Sequence, residues 1–501
     1  MSEYDIELSP NKIVRYLGIK PDEFTKYDLI RYIEENNIEM VNFRYVAGDR
    51  KLKTLNFIIT SKTQLDRLLS AGERVDGSSL FSYVDAGSSD LYVIPRYKTA
   101  FVNPFSEIPA VDVLCSFYTM DGKPLPSSPE NVLKKAHSVL KKETGYSLEA
   151  MGELEYYVLS EKHDIYPVKP QEGYHESAPF VKWEDFRCEA MKAIASTGGK
   201  IKYGHSEVGG FRNDEYDMEQ HEIEFQPVPL EEAADQIVIA KWILRMLGKK
   251  YGVTVSFAPK ISVGHAGSGL HIHSRLVKEG ENVMIKNNEL TDDAKRLISG
   301  YLELAPSLTA FGNTIPTSYL RLVPDQEAPT NICWGDRNRS ALVRIPLSWN
   351  GLNNMIIDEN PLEKEHFEEN GDYQTVEFRA SDGSADMHFL LAGMAVAARY
   401  ALKLDNALEL AEKYYIDVNI FNDENKKVQE KLPHLPSSCW ESAECLKKHK
   451  ALYLESGVFS EGLINGIIAK LKSYDDKKLR ERLYNRQDEV KQLVDRLIHC
   501  S

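Results

Sequence analysis

Four short β-like segments of this 501-residue chain each carry two ionisable side chains two positions apart, and that spacing constrains the fold most. In a strand, residues i and i+2 point to the same face. GELEYYVL therefore places Glu153 and Glu155 on one face, and HEIEFQP does the same for Glu222 and Glu224. GLHIHSRL pairs His271 with His273, and TVEFRAS pairs Glu377 with Arg379. One such pair is what any strand with a wet face shows. Four of them, mixing carboxylates, imidazoles and a guanidinium, read as the inner wall of one polar cavity. Carboxylates crowded in a cavity repel one another unless cations neutralise them. Hard oxygen donors suit Mg²⁺ or Mn²⁺, with an occasional imidazole tolerated by Mn²⁺. Mg²⁺ in turn suggests the phosphates of a nucleotide.

The stretch SYLRLVPDQEAPTNICWGDRNRSALVRIP adds Arg321, Arg337, Arg339 and Arg344. Guanidinium groups grip carboxylates and phosphates bidentately. A cavity holding both acid clusters and arginines fits an anionic substrate bridged by metal, and phosphoryl transfer to a carboxylate is the matching chemistry. For Arg344 an ordinary structural ion pair is the competing expectation.

The length allows more than one domain. A formal net charge of -15, spread along the chain, argues against a nucleic-acid partner, which would want a basic stripe. The six cysteines, at 115, 188, 333, 439, 445 and 500, form no CxxC pair, so neither a zinc ribbon nor a disulfide framework is expected. The opening MSEYDIELSPNKIVRY has no apolar signal core and no run is long enough to span a bilayer. The expectation is a cytoplasmic protein with no membrane partner.

Residues 1–120 read as a small α+β unit. IEMVNFRYV and TLNFIIT are strands around the turn AGDRK, SKTQLDRLLSAG is a helix, and LYVIPRYKTAFVNP is a further β-rich stretch. DGKPLPSSPEN reads as a linker, and residues 129–501 as a larger domain of helices and short strands. In it LEEAADQIVIAKWILRMLGKKYG predicts one long helix, residues 385–415 a second helical region, and the charged stretch from Phe459 a helical tail.

In order along the chain, VDGSS, GELEYY, HSEV with QHEIEF, GSGLHIH, RLVPDQEAP, NRSALVRIP and VEFR resemble the motifs of type I glutamine synthetases, from about Ile38 to about Arg399. The resemblance implies an N-terminal β-grasp domain and a catalytic domain built on a curved antiparallel sheet with helices, an α+β fold. It implies that ATP phosphorylates the glutamate γ-carboxylate and that ammonia displaces the phosphate. By position, Glu155, Glu207 and Glu222 would hold one Mg²⁺ or Mn²⁺, and Glu153, His271 and Glu377 another. Arg321 and Arg379 would bind glutamate together with Gly267, and Arg339 would sit by the transferred phosphoryl group. His273 and Arg344 would contact the nucleotide. Asp76, with Ser79 beside it, would take a proton from ammonium, and Glu327 would close the site on a flap. The resemblance further implies a homo-oligomer of stacked rings, a dodecamer with active sites between subunits, and the tail from Phe459 as an arm between rings.

The chain departs from the family pattern at several points. Ala266 stands where Asn is usual, Thr375 where Arg is usual, and Ala385-Asp386-Met387 where Asn-Pro-Tyr often follows. Arg275 is a candidate to offset Thr375. The insertion GGFRNDEYDM lengthens the spacing between Glu207 and Glu222, leaving room for a larger nucleophile. No adenylylation loop is recognisable. Two alternatives therefore stand beside glutamine formation: a γ-glutamylamine ligase using an organic amine, and a non-catalytic ring protein.

Overall fold

The computed structural model describes residues 3–84, 89–323, 328–348, 355–365, 373–483 and 486–500. The first unit is a six-stranded sheet. Strands β1 (Met40–Val46) and β2 (Leu52–Ile58) form the hairpin expected around AGDRK, followed by β3 (Glu73–Asp76), β4 (Asp90–Pro95), β5 (Phe101–Val102) and β6 (Ala110–Tyr118). The order is β2-β1-β6-β4-β3, with β5 on β6, and β1 and β6 are parallel. Between β2 and β3 lies the helix Lys62–Ala71. Ser61 starts it by accepting the Gln64 amide, and Gly72, at φ 69°, ends it. The β-rich stretch from Leu91 to Pro104 is divided rather than continuous. A 3-10 turn at Tyr97–Thr99 separates β4 from β5, and Arg96 leaves the sheet there to grip Asp235 of the second unit at 2.7 and 3.1 Å.

The expected linker is a stitched junction. Tyr83 donates to the Ser127 carbonyl, Asn131 donates to the Phe117 carbonyl, and the Glu130 carboxylate accepts the Phe117 amide. Phe101 and Leu114 are buried in the larger unit's core, and the Arg44 guanidinium lies 4.5 Å above the Trp242 ring.

The second unit is organised on a ten-stranded sheet. Its long strands are β7 (Ser147–Glu161), β8 (Ile201–Arg212) and β9 (Tyr216–Phe225). Two short strands, β10 (Val228–Pro229) and β11 (Thr254–Ser256), also pair with β7. Next come β12 (Leu270–Lys278), β13 (Glu281–Asn282) and a separate hairpin of β14 (Ile285–Lys286) and β15 (Glu289–Leu290). Strands β16 (Trp334–Asp336), β17 (Val343–Ile345) and β18 (Val376–Phe378) complete the sheet. The path runs β16-β17-β18-β12-β7-β9-β8, antiparallel except at β16 with β17. The helix Leu230–Tyr251 covers one face, ending on Gly252 at φ 71°. The helical region expected over residues 385–415 is made of two helices, Met387–Leu402 and Ala407–Lys413, with the break at Leu404-Asp405-Asn406, where Asp and Asn compete with helical bonding. Among the described residues no single helix is long and apolar enough to cross a membrane.

The tail forms the helices Glu461–Lys472, Leu479–Leu483 and Gln487–Leu497. In this chain they pack on their own subunit. Val494 and Cys500 lie against Tyr157, Phe211 and Met218, while Leu479 and Leu493 lie against Leu320.

Two buried acids generate predictions. Asp112 is fully buried and holds Arg44 at 2.6 Å, Asn42 at 2.6 Å and Asn103 at 3.0 Å. Asp112→Ala strands a buried guanidinium and is expected to cost ~3–5 kcal/mol, read as a lowered urea midpoint of the N-terminal unit. Burial pushes the Glu219 carboxyl up to about 7. A raised carboxyl holds its proton in the folded chain while the unfolded chain has released it. Its contribution therefore fades as pH rises from the ordinary carboxylate range through 7. Glu219→Gln, which keeps an acceptor for the Lys182 amide, should show a Tm advantage over wild type that grows from pH 5 to pH 8.

Candidate active site

The cross-strand register brings the four polar pairs onto one wall. His271 faces Glu153 across β12 and β7, Glu153 and Glu155 face Glu224 and Glu222 across β7 and β9, and His273 and Arg344 flank Glu377 on either side of β18. Directly opposed residues in neighbouring strands sit within side-chain reach, so alternation within strands becomes a contiguous patch. The patch lines a cavity of about 920 Å³.

Glu207 reaches the cavity by a different device. Between the pairs Ser206–His221 and Gly210–Glu219, β8 advances four residues while β9 advances two, so Glu207 to Gly209 bulge. Gly209 is required there: a Cβ would sit 2.1 Å from the Tyr157 hydroxyl and 2.2 Å from the Gln220 side-chain oxygen.

Within the cavity, Glu153 lies 2.9 Å from His271 Nδ1 and 2.8 Å from His273 Nε2. Glu377 lies 3.6 Å from His271, 3.0 Å from Arg379 Nε and 2.8 Å from Arg344 Nη1. Glu155 accepts the Gly269 amide at 2.8 Å and Gln220 Nε2 at 2.9 Å. His205 Nε2 stands 3.0 Å from Glu222. The electrostatics are uneven. Burial and then the charges of Glu153, Glu155, Glu207 and Glu224 push the Glu222 carboxyl well above its ordinary range. Burial acts the same way on Glu153, but the His273 and His271 imidazoles outweigh it and hold that carboxyl well below its ordinary range. Three sets of donor atoms lie close enough to share an ion: Glu153 with His273 and Glu377, Glu153 with Glu222 and His271, and His205 with Glu222 and Glu224. These sets mix the two groups of ligands expected from sequence, and they bring in His205. The donors are carboxylate oxygens and imidazole nitrogens, and Glu222 carries repulsion that a cation would relieve. That chemistry fits Mg²⁺ or Mn²⁺.

Arg321 is buried, its Nη1 donating to the Ala380 and Ser381 carbonyls and its stem packed where a Cβ on Gly267 would meet it at 3.0 Å. Arg379 donates to the Arg339 carbonyl. Arg339 also lines the cavity and bonds Tyr174. Arg344 forms the ion pair anticipated as its alternative, though with a cavity carboxylate. Asp76 and Ser79 are elsewhere. Asp76 is exposed at the end of β3, its carboxylate accepting from the Ser79 hydroxyl at 2.6 Å and the Ser78 hydroxyl at 2.7 Å, which with the Ser78 amide hold it well below the ordinary range. Glu327 lies outside the described residues.

The departures also have positions. Thr375 Oγ1 bonds His273 Nδ1 at 2.9 Å. Arg275 pairs with Glu149 at 2.7 Å and does not line the cavity, so it does not offset Thr375 there. Ala266 is held through its backbone, the amide by Gln171 at 2.7 Å and the carbonyl by Tyr157 at 2.8 Å. The inserted residues lengthen the β8–β9 hairpin. Among the described residues none from 209 to 219 lines the cavity.

The family profile described as the catalytic domain of glutamine synthetase matches residues 126–489, and that of its β-grasp domain matches residues 37–120. The chain belongs to the glutamine synthetase family. Similar proteins are the glutamine synthetases of Pyrococcus furiosus, 31% identical over 80% of this chain and 84% of that one, and of Clostridium saccharobutylicum, 27% identical over 91% and 96%. Among solved structures, Plasmodium falciparum glutamine synthetase superposes with a TM-score of 0.74 at 20% identity, covering 92% of this chain and 98% of that one. A GmaS/ADP complex does so at 0.70 and 17% identity, covering 90% and 96%. The fold is accordingly the α+β pairing of a β-grasp domain with the family's catalytic domain.

Sequence reasoning missed Gln220 and His205. Gln220 was accessible, because it continues the alternation of Glu222 and Glu224 by one step. It donates to Glu155, to the Gly267 carbonyl at 3.0 Å and to Ser268 at 3.3 Å, and accepts the Gly209 amide, tying the bulge to the wall. His205 was accessible too: it stands two residues before Glu207 on β8, the same alternation, and its Nδ1 lies 3.6 Å from the Glu207 carboxylate.

With Mn²⁺, wild-type Tm is expected to rise by several degrees through ligand linkage. Glu222→Gln should lose that rise while its metal-free form melts above metal-free wild type, because the substitution removes repulsion. Scanning fluorimetry with and without EDTA checks both; an unchanged Mn²⁺ response in the variant would remove Glu222 from the metal site.

Proposed function

We propose that this chain is an ATP-dependent carbon–nitrogen ligase that forms glutamine from glutamate and ammonia. The observation that carries the reading is that Arg321 and Arg379 line the same 920 Å³ cavity as Glu153, Glu155, Glu207, Glu222, His271 and Glu377. A site with cationic and anionic halves suits a substrate with carboxylates at one end and a metal-bound polyphosphate at the other.

In this reading Glu153, Glu155, Glu207, Glu222, His271 and Glu377 hold divalent metals, with His273 and His205 at hand. Bound there, the metals supply charge neutralisation for the phosphates of ATP. Arg321 and Arg379 orient glutamate. The γ-carboxylate oxygen attacks the γ-phosphorus, the bond to the bridging oxygen breaks, and ADP leaves with that electron pair. Arg339 and Arg344 face the charge that develops on the transferred group. Ammonia then attacks the acyl carbon, phosphate departs, and the surplus proton of the nitrogen passes to a carboxylate. Asp76, from a neighbouring subunit's ring position, is the carboxylate that attracts ammonium and takes its proton. Glu327 closes the site, since water would hydrolyse an exposed acyl phosphate. The active assembly is a homo-oligomer in the cytoplasm.

Glutamate-dependent ADP release with Mg²⁺ or Mn²⁺ tests the proposal. Ammonium is expected to drive turnover, and putrescine, spermidine and ethylamine to do so poorly. Turnover with an organic amine alone would reassign the nucleophile; none with any amine would favour a non-catalytic ring protein. Arg321→Ala is expected to raise the glutamate KM by roughly 100-fold, as loss of a buried charged contact does.

A further inference from the structure

Arg321 is carried by a four-residue helix, Ser318–Arg321. A helix of one turn has no cooperative stability of its own, and its last carbonyls have no partners within it. Those carbonyls are met from the far end of the chain. Arg480, in the helix Leu479–Leu483 of the tail, donates through Nε to the Tyr319 carbonyl at 2.9 Å and through Nη2 to the Leu322 carbonyl. The neighbouring side chains make the same junction apolar, Leu479 and Leu493 closing on Leu320. Beyond it the tail is fastened again, Ser256 donating to the Ile498 carbonyl at 2.7 Å and Arg245 to the Cys500 carbonyl at 3.0 Å.

We infer that Arg480 is a positioning residue, through which the C-terminal segment fixes the helix that presents Arg321 to the substrate carboxylate. The inference rests on the proposed role of Arg321. A charged donor spanning the carbonyls before and after Arg321 fixes the backbone on both sides of it. Arg321 is in turn steered by the Ala380 and Ser381 carbonyls, and it lies against the backbone of Gly267. Movement of the short helix would therefore withdraw the guanidinium from the cavity while leaving the carboxylate and imidazole wall in place, because that wall is held by the sheet.

The test uses the full chain with Arg480→Ala, Arg480→Met, which keeps the stem, and Arg480→Lys, which keeps the charge. Lys491→Ala, at an exposed tail residue paired with Asp495, is the control. By hydrogen–deuterium exchange, amides 317–323 are expected to exchange roughly tenfold faster in the Ala and Met variants and to return toward wild type in the Lys variant, while β7 and β12 are unchanged. In turnover, the glutamate KM should rise roughly tenfold with the ATP KM within about twofold, again rescued by Lys. If Arg480→Ala does not fold, the Met and Lys variants carry both readouts. Unchanged exchange at 317–323 overturns the inference, and so does a loss that falls equally on glutamate and ATP. If wild type shows no glutamate-dependent turnover, the proposed function fails, and the exchange experiment still decides whether Arg480 holds the helix.

Discussion

Mutual repulsion among carboxylates on one face of a sheet is the constraint on which the rest of this structure depends. Glu153, Glu155, Glu222, Glu224 and Glu377 are set by backbone register on three strands, so none can retreat far from the others. The chain answers with fixed cations and donors. His271 and His273 bracket Glu153, Arg344 and Arg379 bracket Glu377, and Lys202 pairs with Glu224 at 2.9 Å. Glu222 receives the least compensation, and its proton affinity rises accordingly. The wall is thus charged unevenly, and a cation is most needed at Glu222, where burial and four neighbouring carboxylates act together.

A wall of this kind needs a rigid support, and much of the molecule serves that end. The apolar faces of β7, β9 and β12 pack under the helix Leu230–Tyr251, and Gly152 lets Ile237 approach, since a Cβ there would meet it at 2.9 Å. The smaller unit is fastened to this core by Arg96 with Asp235 and by the burial of Phe101 and Leu114. Asp76, in contrast, sits at the end of an outer strand and is exposed, away from this wall.

The alternation of polar residues at i and i+2 was enough to find the strands, the face and the chemistry of the wall, because strand geometry leaves a side chain only two directions. Helix boundaries followed from equally local rules, Ser61 and Gly72 marking both ends of one helix. Where local rules failed, a distant partner decided. Arg96 broke an expected β-rich stretch because Asp235 waits in another domain. The insertion after Glu207 looked like added room at the active site, but it extended a hairpin whose Asp217 is bound by Arg212 at 2.5 Å and Lys182 at 2.5 Å. The bulge after Ser206 was not legible, because period-two counting loses its phase where residues are inserted.

The sequence by itself determined the kind of chemistry, since residue identity and spacing set which donors share a strand face and the ordered motifs set the family. Only the tertiary structure decided which donors meet: that His205 and His273 join the carboxylates, that Arg275 turns to Glu149, and that a tail residue 159 positions after Arg321 closes on its helix. The physical reason is range. Alternation and capping are settled within a few residues by backbone geometry. Cross-strand register, bulges and the docking of a terminal helix are settled by contacts between segments that sequence spacing does not relate.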